Sequence, residues 1–108
     1  MATVAQSTKD ALERRLAVHA RTRWPQVAQL RFRYRAAFAW IDAELADHEV
    51  LPLIRLRYLG SADDWGFGLY LASSDKYEDQ ILPTGSFTGT PEEALDCACE
   101  LYLDGPDF

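Results

Sequence analysis

The chain has 108 residues, of which 48% are hydrophobic and 12% aromatic, and its formal net charge is -6. That size and composition exclude a disordered chain and predict one folded domain that needs neither a disulfide nor a metal. No apolar run approaches the ~20 residues of a membrane span, and the start "MATVAQSTKDALERR" lacks the apolar core of a signal peptide. We therefore expect a cytoplasmic protein with a single domain over 1–108, in which residues 1–7 are disordered.

The first predicted element is a helix over about 8–23. Ser7 or Thr8 can serve as its N-cap, and Pro25 disfavours a helical conformation for the residue before it. Residues of the inner face recur at helical spacing: Leu12, Leu16, His19 or Ala20, and Trp24. The other face of this helix carries basic side chains: Lys9, Arg14, Arg15, Arg21 and Arg23.

The stretch 26–45 is ambiguous between strand and helix. Apolar residues alternate with arginines in "LRFRYRAAFAW", as in a strand, whereas "RAAFAWIDAELA" is rich in helix formers. We favour one long strand, with a bulge near 39–41 where the apolar residues change parity.

Two further strands are predicted over 50–59 and 65–73, with turn residues between them in "GSADDWG". A short fourth strand is predicted in "YEDQILP". A final helix is predicted over about 91–103, where Thr90 is the N-cap and Glu93 completes a capping box. Gly105 and Pro106 would end it.

This order predicts an α+β fold: a two-layer sandwich of a helix, a three- or four-stranded antiparallel sheet and a second helix. Both helices would cover one face of the sheet. The open face would carry Arg31, Arg33 and Arg35, together with Arg55 and Arg57 if the strand register aligns them. One residue of slip would instead place aromatic residues, Phe38 and Trp40, beside Arg57 and Arg55.

Charge is unevenly distributed along the chain. Residues 1–35 hold eight basic and two acidic side chains, a net of +6, whereas residues 36–108 hold three basic and fifteen acidic ones, a net of -12. Such asymmetry can indicate a charged partner, or it can mean that the two ends of the chain fold against each other. The arginines of the first strand have the same alternatives: pairing with Asp42, Glu44 or other carboxylates of the chain, nucleic acid, or an acidic protein. We favour the internal pairing.

Two resemblances bear on the interpretation. The segments "LPLIRLRYLGSADDWGFGLYLASSDKYEDQILPTG" and "GTPEEALDCACELYL" resemble a group of small actinobacterial proteins of unassigned function, often encoded near mobile elements, which implies a bacterial, cytoplasmic setting. The order of a helix, three strands and a helix also resembles the double-stranded RNA-binding domain. In that family lysines at the start of the last helix contact phosphate, whereas this chain has Glu92 and Glu93 there, which would repel it.

Few residues indicate catalysis. His19 lies beside the apolar stripe of the first helix, and His48 lies in a polar turn. Asp63 and Asp64 could hold a divalent cation or act as acid and base, but adjacent acids in a turn usually form the turn. An enzyme would need these residues to converge. Cys97 and Cys99 would point apart on a helix, and we expect them to be reduced, structural thiols without a metal.

We therefore expect a non-catalytic interaction module, without cofactor or metal, that binds a protein partner or a second copy of itself through the open face of its sheet. The expected interaction surface is Arg31, Arg33, Arg35, Arg55, Arg57, Trp40 and Tyr70. The alternative is nucleic-acid binding through the basic residues of 9–35. The expected contacts in that case are Arg14, Arg15, Arg21, Arg23, Arg31, Arg33 and Arg35.

Overall fold

The computed structural model describes residues 4–61, 63–71, 74–79, 82 and 85–103. Its elements follow in the order α1 (Gln6–Arg23), β1 (Val27–Arg35), β2 (Phe38–Leu45), β3 (Val50–Ser61), β4 (Asp64–Leu71), β5 (Lys76–Asp79), β6 (Thr88–Gly89) and α2 (Pro91–Tyr102). All strand pairs are antiparallel, in the order β1-β2-β3-β4-β5, and β6 pairs with β4. The predicted α+β class is confirmed, with six strands among the described residues in place of three or four.

The core lies between the sheet and the two helices. Ala39, Ile41 and Ala43 of β2 are fully buried. The remaining residues of the buried cluster come from both layers: Val4, Leu12, Leu16, Ala20 and Trp24 of α1 and its flanks, Val27 of β1, Leu53, Ile54 and Leu56 of β3, Trp65, Phe67 and Leu69 of β4, Leu82, and Ala94, Leu95, Ala98 and Cys99 of α2. The helices therefore cover one face, and the other face has no layer over it among the described residues.

The prediction of one long strand over 26–45 is wrong, because β1 and β2 form a hairpin. Arg35 pairs with Phe38 across a two-residue turn, and Ala36 has a φ of 53°. Alanine rarely adopts that left-handed conformation. Two-residue hairpin turns usually contain glycine or asparagine, and this one contains neither, so the sequence gives no sign of the turn. A two-residue turn changes the parity of the apolar positions just as a bulge does. A register shift also occurs between Ile41 and Asp42, in the pairing of β2 with β3.

The two helices differ in how they begin. Thr90 and Glu93 form the predicted capping box, with both reciprocal hydrogen bonds present. The predicted cap of α1 by Ser7 or Thr8 is wrong, because α1 begins at Gln6 and its N-cap, Ala5, makes no side-chain bond. Val4 before it is buried, so the disorder expected for residues 1–7 does not extend to 4–7. Gly105 and Pro106, the predicted end of α2, lie outside the described residues.

The strand ends also differ slightly from prediction. β3 continues to Ser61, β4 begins at Asp64, and the predicted end of the latter strand at 72–73 lies outside the described residues. The predicted fourth strand corresponds to β5. No helix in the described part of the chain is long and apolar enough to cross a membrane.

Candidate functional site

The basic side chains of α1 meet the acidic side chains of α2. Arg15 binds both carboxylate oxygens of Glu92, at 2.9 Å from Nε to Oε2 and 2.7 Å from Nη2 to Oε1. Its Nη1 lies 2.7 Å from Oδ1 of Asp63. The hydrogen bonds to Glu92 and Asp63 outweigh partial burial and raise the pKa of Arg15. Part of the charge asymmetry of the chain is thus neutralised where its two ends pack together.

Two more contacts between the helices continue this arrangement. Asp96 Oδ1 lies 2.8 Å from His19 Nε2 and accepts a hydrogen bond from Trp24 Nε1, also at 2.8 Å. One turn further along each helix, Arg23 Nη2 lies 3.5 Å from Glu100 Oε2, with both side chains about half exposed. Trp24 is a buried residue, so its indole N–H needs this acceptor. These contacts orient α1 against α2.

The basic face expected for nucleic-acid binding is therefore interrupted. Of its helical members, Arg15 and Arg23 are engaged with acids of α2. Arg14 and Arg21 are exposed and make no ion pair within the described residues. Carboxylates beside paired arginines would repel a phosphate backbone, which weighs against this surface as a nucleic-acid site.

On the open face of the sheet, the register places aromatic residues between arginines. Trp40 pairs with Arg33 on one side and Arg55 on the other. In the next row Phe38 lies between Arg35 and Arg57. An arginine face and an arginine–aromatic face were predicted as alternatives, but the hairpin produces both. The five predicted arginines and Trp40 share this face.

One end of the open face is satisfied by its own carboxylates. Arg31 Nη2 lies 2.7 Å and Nε 2.9 Å from Glu44 Oε1, and Arg33 Nη2 lies 3.8 Å from Asp42 Oδ2. The Arg31 hydrogen bond is the main reason that the pKa of Glu44 is lowered. The exposed His48 also contacts Glu44, at 3.3 Å. The predicted internal pairing with Asp42 and Glu44 is confirmed for these two arginines.

Asp42, at this end of the open face, has incomplete hydrogen bonding within the described residues. Its Oδ1 is buried and has no hydrogen-bond partner within the described residues. Burial raises its pKa, and the nearby Arg33 and Arg31 only partly offset that effect. The pKa of Tyr77 is also raised, mainly by burial and next by the negative charge of Asp42. Tyr77 pairs with Tyr70 on the same face. These two tyrosines and the ion pairs cover this end of the sheet.

Tyr70, a predicted surface residue, belongs to that covered end. Its hydroxyl donates a hydrogen bond to Asp75, which is the main reason that its pKa is raised to about 12. Its ring lies 5.3 Å from that of Tyr77 between centroids. Tyr70 is therefore engaged with β5 and the turn before it.

The other end of the open face has an uncompensated row, Arg35–Phe38–Arg57. Neither arginine makes an ion pair with any described residue, and both are exposed. The guanidinium carbon of Arg57 lies 5.9 Å from the centroid of Phe38, and that of Arg55 lies 5.3 Å from it. Phe38 also packs on Trp40, with centroids 5.7 Å apart. This row presents two positive charges beside an aromatic pair.

A groove of about 360 Å³ adjoins this row. Its floor is β4, where Gly66 and Gly68 present no side chain to the open face. Arg55 Nη2 bonds Asp79 Oδ1 at 3.0 Å above Gly68, and an added Cβ there would lie 3.3 Å from the same nitrogen. The lining is mixed: Phe38, Arg55, Arg57, Leu59, Gly66, Phe67, Gly68, Asp79, Phe87 and Thr88. We call this the glycine-floored groove.

Two large apolar side chains stand at the rim of the glycine-floored groove. Leu59 is 46% exposed and Phe87 is 62% exposed. Phe38, Phe87 and the two glycines are not among the site residues predicted from the sequence. The available signal was "WGFGLY", because glycine inside a strand often indicates a close approach of a ligand or another backbone.

The residues considered for catalysis do not converge on one site. His19 is bonded to Asp96, Asp63 to Arg15, and His48 to Glu44. Asp64 is an exposed residue at the start of β4. No group of three or more histidines, cysteines or acids that could hold a metal ion occurs within the residues that the structure describes.

The two cysteines are free, as expected. Cys99 is buried and Cys97 is partly buried, and the two lie two residues apart on α2. Burial raises the pKa of the Cys99 thiol to about 12. Such a thiol is unreactive at neutral pH and packs as a small apolar group.

Comparison with protein-family models, with curated proteins and with solved structures finds no match for the chain.

Proposed function

We propose that this chain is a non-catalytic interaction module that binds an acidic segment of a protein partner through the open face of its sheet. The contact would be the Arg35–Phe38–Arg57 row and the adjoining glycine-floored groove. The observation that carries the proposal is the row itself: in a chain of net charge -6, two arginines that make no ion pair with any described residue flank an aromatic ring.

The chemistry of the row fits a carboxylate beside an apolar side chain. A guanidinium offers a planar fork of donors that matches a carboxylate, and aromatic and arginine side chains dominate the energy of protein interfaces. The groove floor can accept a side chain at Gly66, whereas the Arg55 side chain lies over Gly68. Leu59 and Phe87 supply apolar contact at its rim.

Three features favour a protein over nucleic acid. The chain is acidic as a whole, which opposes non-specific attraction to phosphate. Arg31, Arg33 and Arg55 on the same face are each paired with a carboxylate. Phosphates spaced along a strand would also meet those carboxylates, which weakens the attraction of this face for nucleic acid.

The test is a binding titration by fluorescence anisotropy with three labelled probes. The first is a peptide of about eight residues in which glutamates flank a phenylalanine. The second has glutamine in place of each glutamate, and the third is single-stranded DNA of similar length. We expect the acidic peptide to bind at least about ten-fold more tightly than the other two, because only it pairs with both arginines.

The variants locate the contact. Arg57→Ala should weaken binding of the acidic peptide by about ten-fold, and Gly66→Val should block the groove. Arg14→Ala is the matched control, since it removes an exposed arginine on the other side of the domain that makes no ion pair within the described part of the chain. Preferential DNA binding that falls with salt and is lost with Arg35→Ala and Arg57→Ala would favour the nucleic-acid function instead.

A further inference from the structure

β1 is an edge strand of the sheet. Within the described residues it pairs with β2 and with no other strand. Hydrogen bonds of an antiparallel pair alternate along a strand, so every second residue of β1 directs its backbone N–H and C=O away from β2. These groups form a template on which another strand can pair.

Most of the devices that protect sheet edges are absent from β1. It is nine residues long, contains no proline, and has its only irregularity at its start, between Val27 and Gln29. Its charged side chains lie on the open face and do not point toward the core. An edge of this length and regularity is accessible to an extended chain.

A second groove runs beneath this edge on the helix side, with a volume of about 550 Å³. It lies between α1 and β1, where Ala17 and Ala20 of the helix leave space beside the half-buried Leu30 and Phe32. The hydroxyl of Tyr34 donates a 2.8 Å hydrogen bond to Glu13, which ties the helix to the strand near the other end of β1. We call this cavity the edge groove.

The other face of the same strand is positive at alternate positions. The side chains of Arg31 and Arg33 remain 55% and 63% exposed despite their ion pairs, and Arg35 has no ion pair among the described residues. A strand added beside β1 would therefore place alternate side chains against arginines and the intervening ones in the edge groove.

We propose that β1 accepts an extended segment of the partner as an additional antiparallel or parallel strand, with acidic residues at alternate positions and apolar residues between them. This inference rests on the proposed function and specifies the form of the acidic segment. Backbone hydrogen bonds would provide affinity, while the arginines and the edge groove would select the side chains.

Charge argues against a second copy of the chain as this strand. If two copies of β1 paired with their apolar sides on the same face, their open-face residues would lie opposite each other. Each arginine in the overlap would then face either another arginine or Gln29. Like charges directly opposite each other destabilise a strand pair, and here up to three such pairs would coincide. A strand with glutamates at those positions would be attracted instead.

The experiment uses capped synthetic peptides of about nine residues and measures anisotropy together with amide hydrogen exchange. The main probe alternates glutamate and valine. The first control has the same composition with the glutamates in one block, and the second is the alternating peptide N-methylated at every second residue. N-methylation removes hydrogen-bond donors but keeps the charge and the side chains, so it tests strand addition without altering the protein.

Two protein variants separate this inference from the proposed function. Ala17→Phe fills the edge groove from an exposed position that the core does not use. Gly66→Val fills the glycine-floored groove on the other face. We expect the alternating peptide to bind about ten-fold more tightly than either control, to protect amides of β1, and to be weakened by Ala17→Phe but not by Gly66→Val.

Each contrary result has a definite meaning. Equal binding of the N-methylated peptide, or binding lost with Gly66→Val and kept with Ala17→Phe, would overturn the strand addition while supporting the open face as the site. Absence of binding by the alternating peptide, with the glutamate–phenylalanine probe still bound, would also overturn strand addition alone. Failure of both probes would overturn the proposed function as well.

Discussion

The contact between Arg15 and Glu92 should be the strongest electrostatic link between the helices, and Glu92→Gln should test it. Both side chains are mostly buried, at 29% and 27% exposure, and the two hydrogen bonds are bidentate. Exposed pairs contribute about 0.2–1 kcal/mol and breaking a fully buried pair costs about 3–5 kcal/mol, so this pair should lie near 1 kcal/mol. Glu92 also lies in the first turn of α2, where a carboxylate adds about 0.3–1 kcal/mol.

We therefore expect Glu92→Gln to lower the free energy of unfolding by about 1.5 kcal/mol, measured by urea unfolding at pH 7. The melting temperature should fall by roughly 6 °C in a domain of this size. Glu100→Gln is the matched control, because its partner Arg23 lies at 3.5 Å and the pair is half exposed. That change should cost no more than about 0.3 kcal/mol.

A double-mutant cycle with Arg15→Met separates the ion pair from the helix-end effect, since only the pair contributes to the coupling energy. We expect a coupling of about 1 kcal/mol. Equal effects of Glu92→Gln and Glu100→Gln, or a coupling near zero, would refute the assignment of special weight to this contact.

The same pair should make stability depend on pH in a defined direction. Burial alone would raise the pKa of Glu92, but the Arg15 hydrogen bond, a backbone hydrogen bond and nearby positive charge outweigh it and hold the pKa below its ordinary value of 4.5. A lowered pKa contributes stability above the unfolded value that is lost as pH falls. The difference between the wild type and Glu92→Gln should thus be complete at pH 7 and shrink below about pH 4.5.

Three other predictions follow from single side chains. Asp42→Asn should raise the free energy of unfolding by about 1 kcal/mol at pH 7, because it removes a largely buried charge whose Oδ1 has no hydrogen-bond partner among the described residues. This gain should fade as Asp42 becomes protonated at low pH, and a loss of stability at pH 7 would contradict the reasoning. Thr90→Ala should lower the free energy of unfolding in urea by about 1 kcal/mol, because it removes the capping box, whereas Thr22→Ala on the exposed face of α1 should change it little. Equal losses in the two variants would show that the cap is unimportant. A thiol reagent at pH 8 should label Cys99 only in denaturant, and Cys97 should react faster than Cys99. Labelling of Cys99 in the native protein at the rate of a free thiol would exclude its burial.

The sequence predicts elements well where the determinants are local. Thr90, Pro91 and Glu93 are adjacent in the chain, and their hydrogen bonds involve only one turn of helix, so the start of α2 is correct to the residue. The β1–β2 turn is also local, but Ala36 and Ala37 carry no turn signal. A bulge in one long strand and a hairpin turn both shift the apolar residues from even to odd positions, so the sequence pattern does not distinguish them. Only the hairpin brings Phe38 back beside Arg35.

The candidate site depends on information that the sequence does not carry in any one segment. Whether Arg57 lies beside Phe38 is decided by the register of β2 against β3, and one residue of slip would reverse the face. The pairing of Arg15 with Glu92 joins residues 77 positions apart and requires both helices to lie on one side of the sheet. The charge asymmetry was visible in the sequence, but its meaning required the tertiary structure.

The distribution of charge also explains why the uncompensated row is informative. The chain has 17 acidic and 11 basic residues, so carboxylates are in excess, and the structure uses them to pair Arg31, Arg33 and Arg55 on the same face. An open face whose only purpose was solubility would gain by pairing Arg35 and Arg57 too. Arg14 and Arg21 likewise make no ion pair among the described residues, but they lie on α1 and not in a strand row with an aromatic residue. A pair of cations held beside Phe38 is expected where the missing carboxylates come from another molecule.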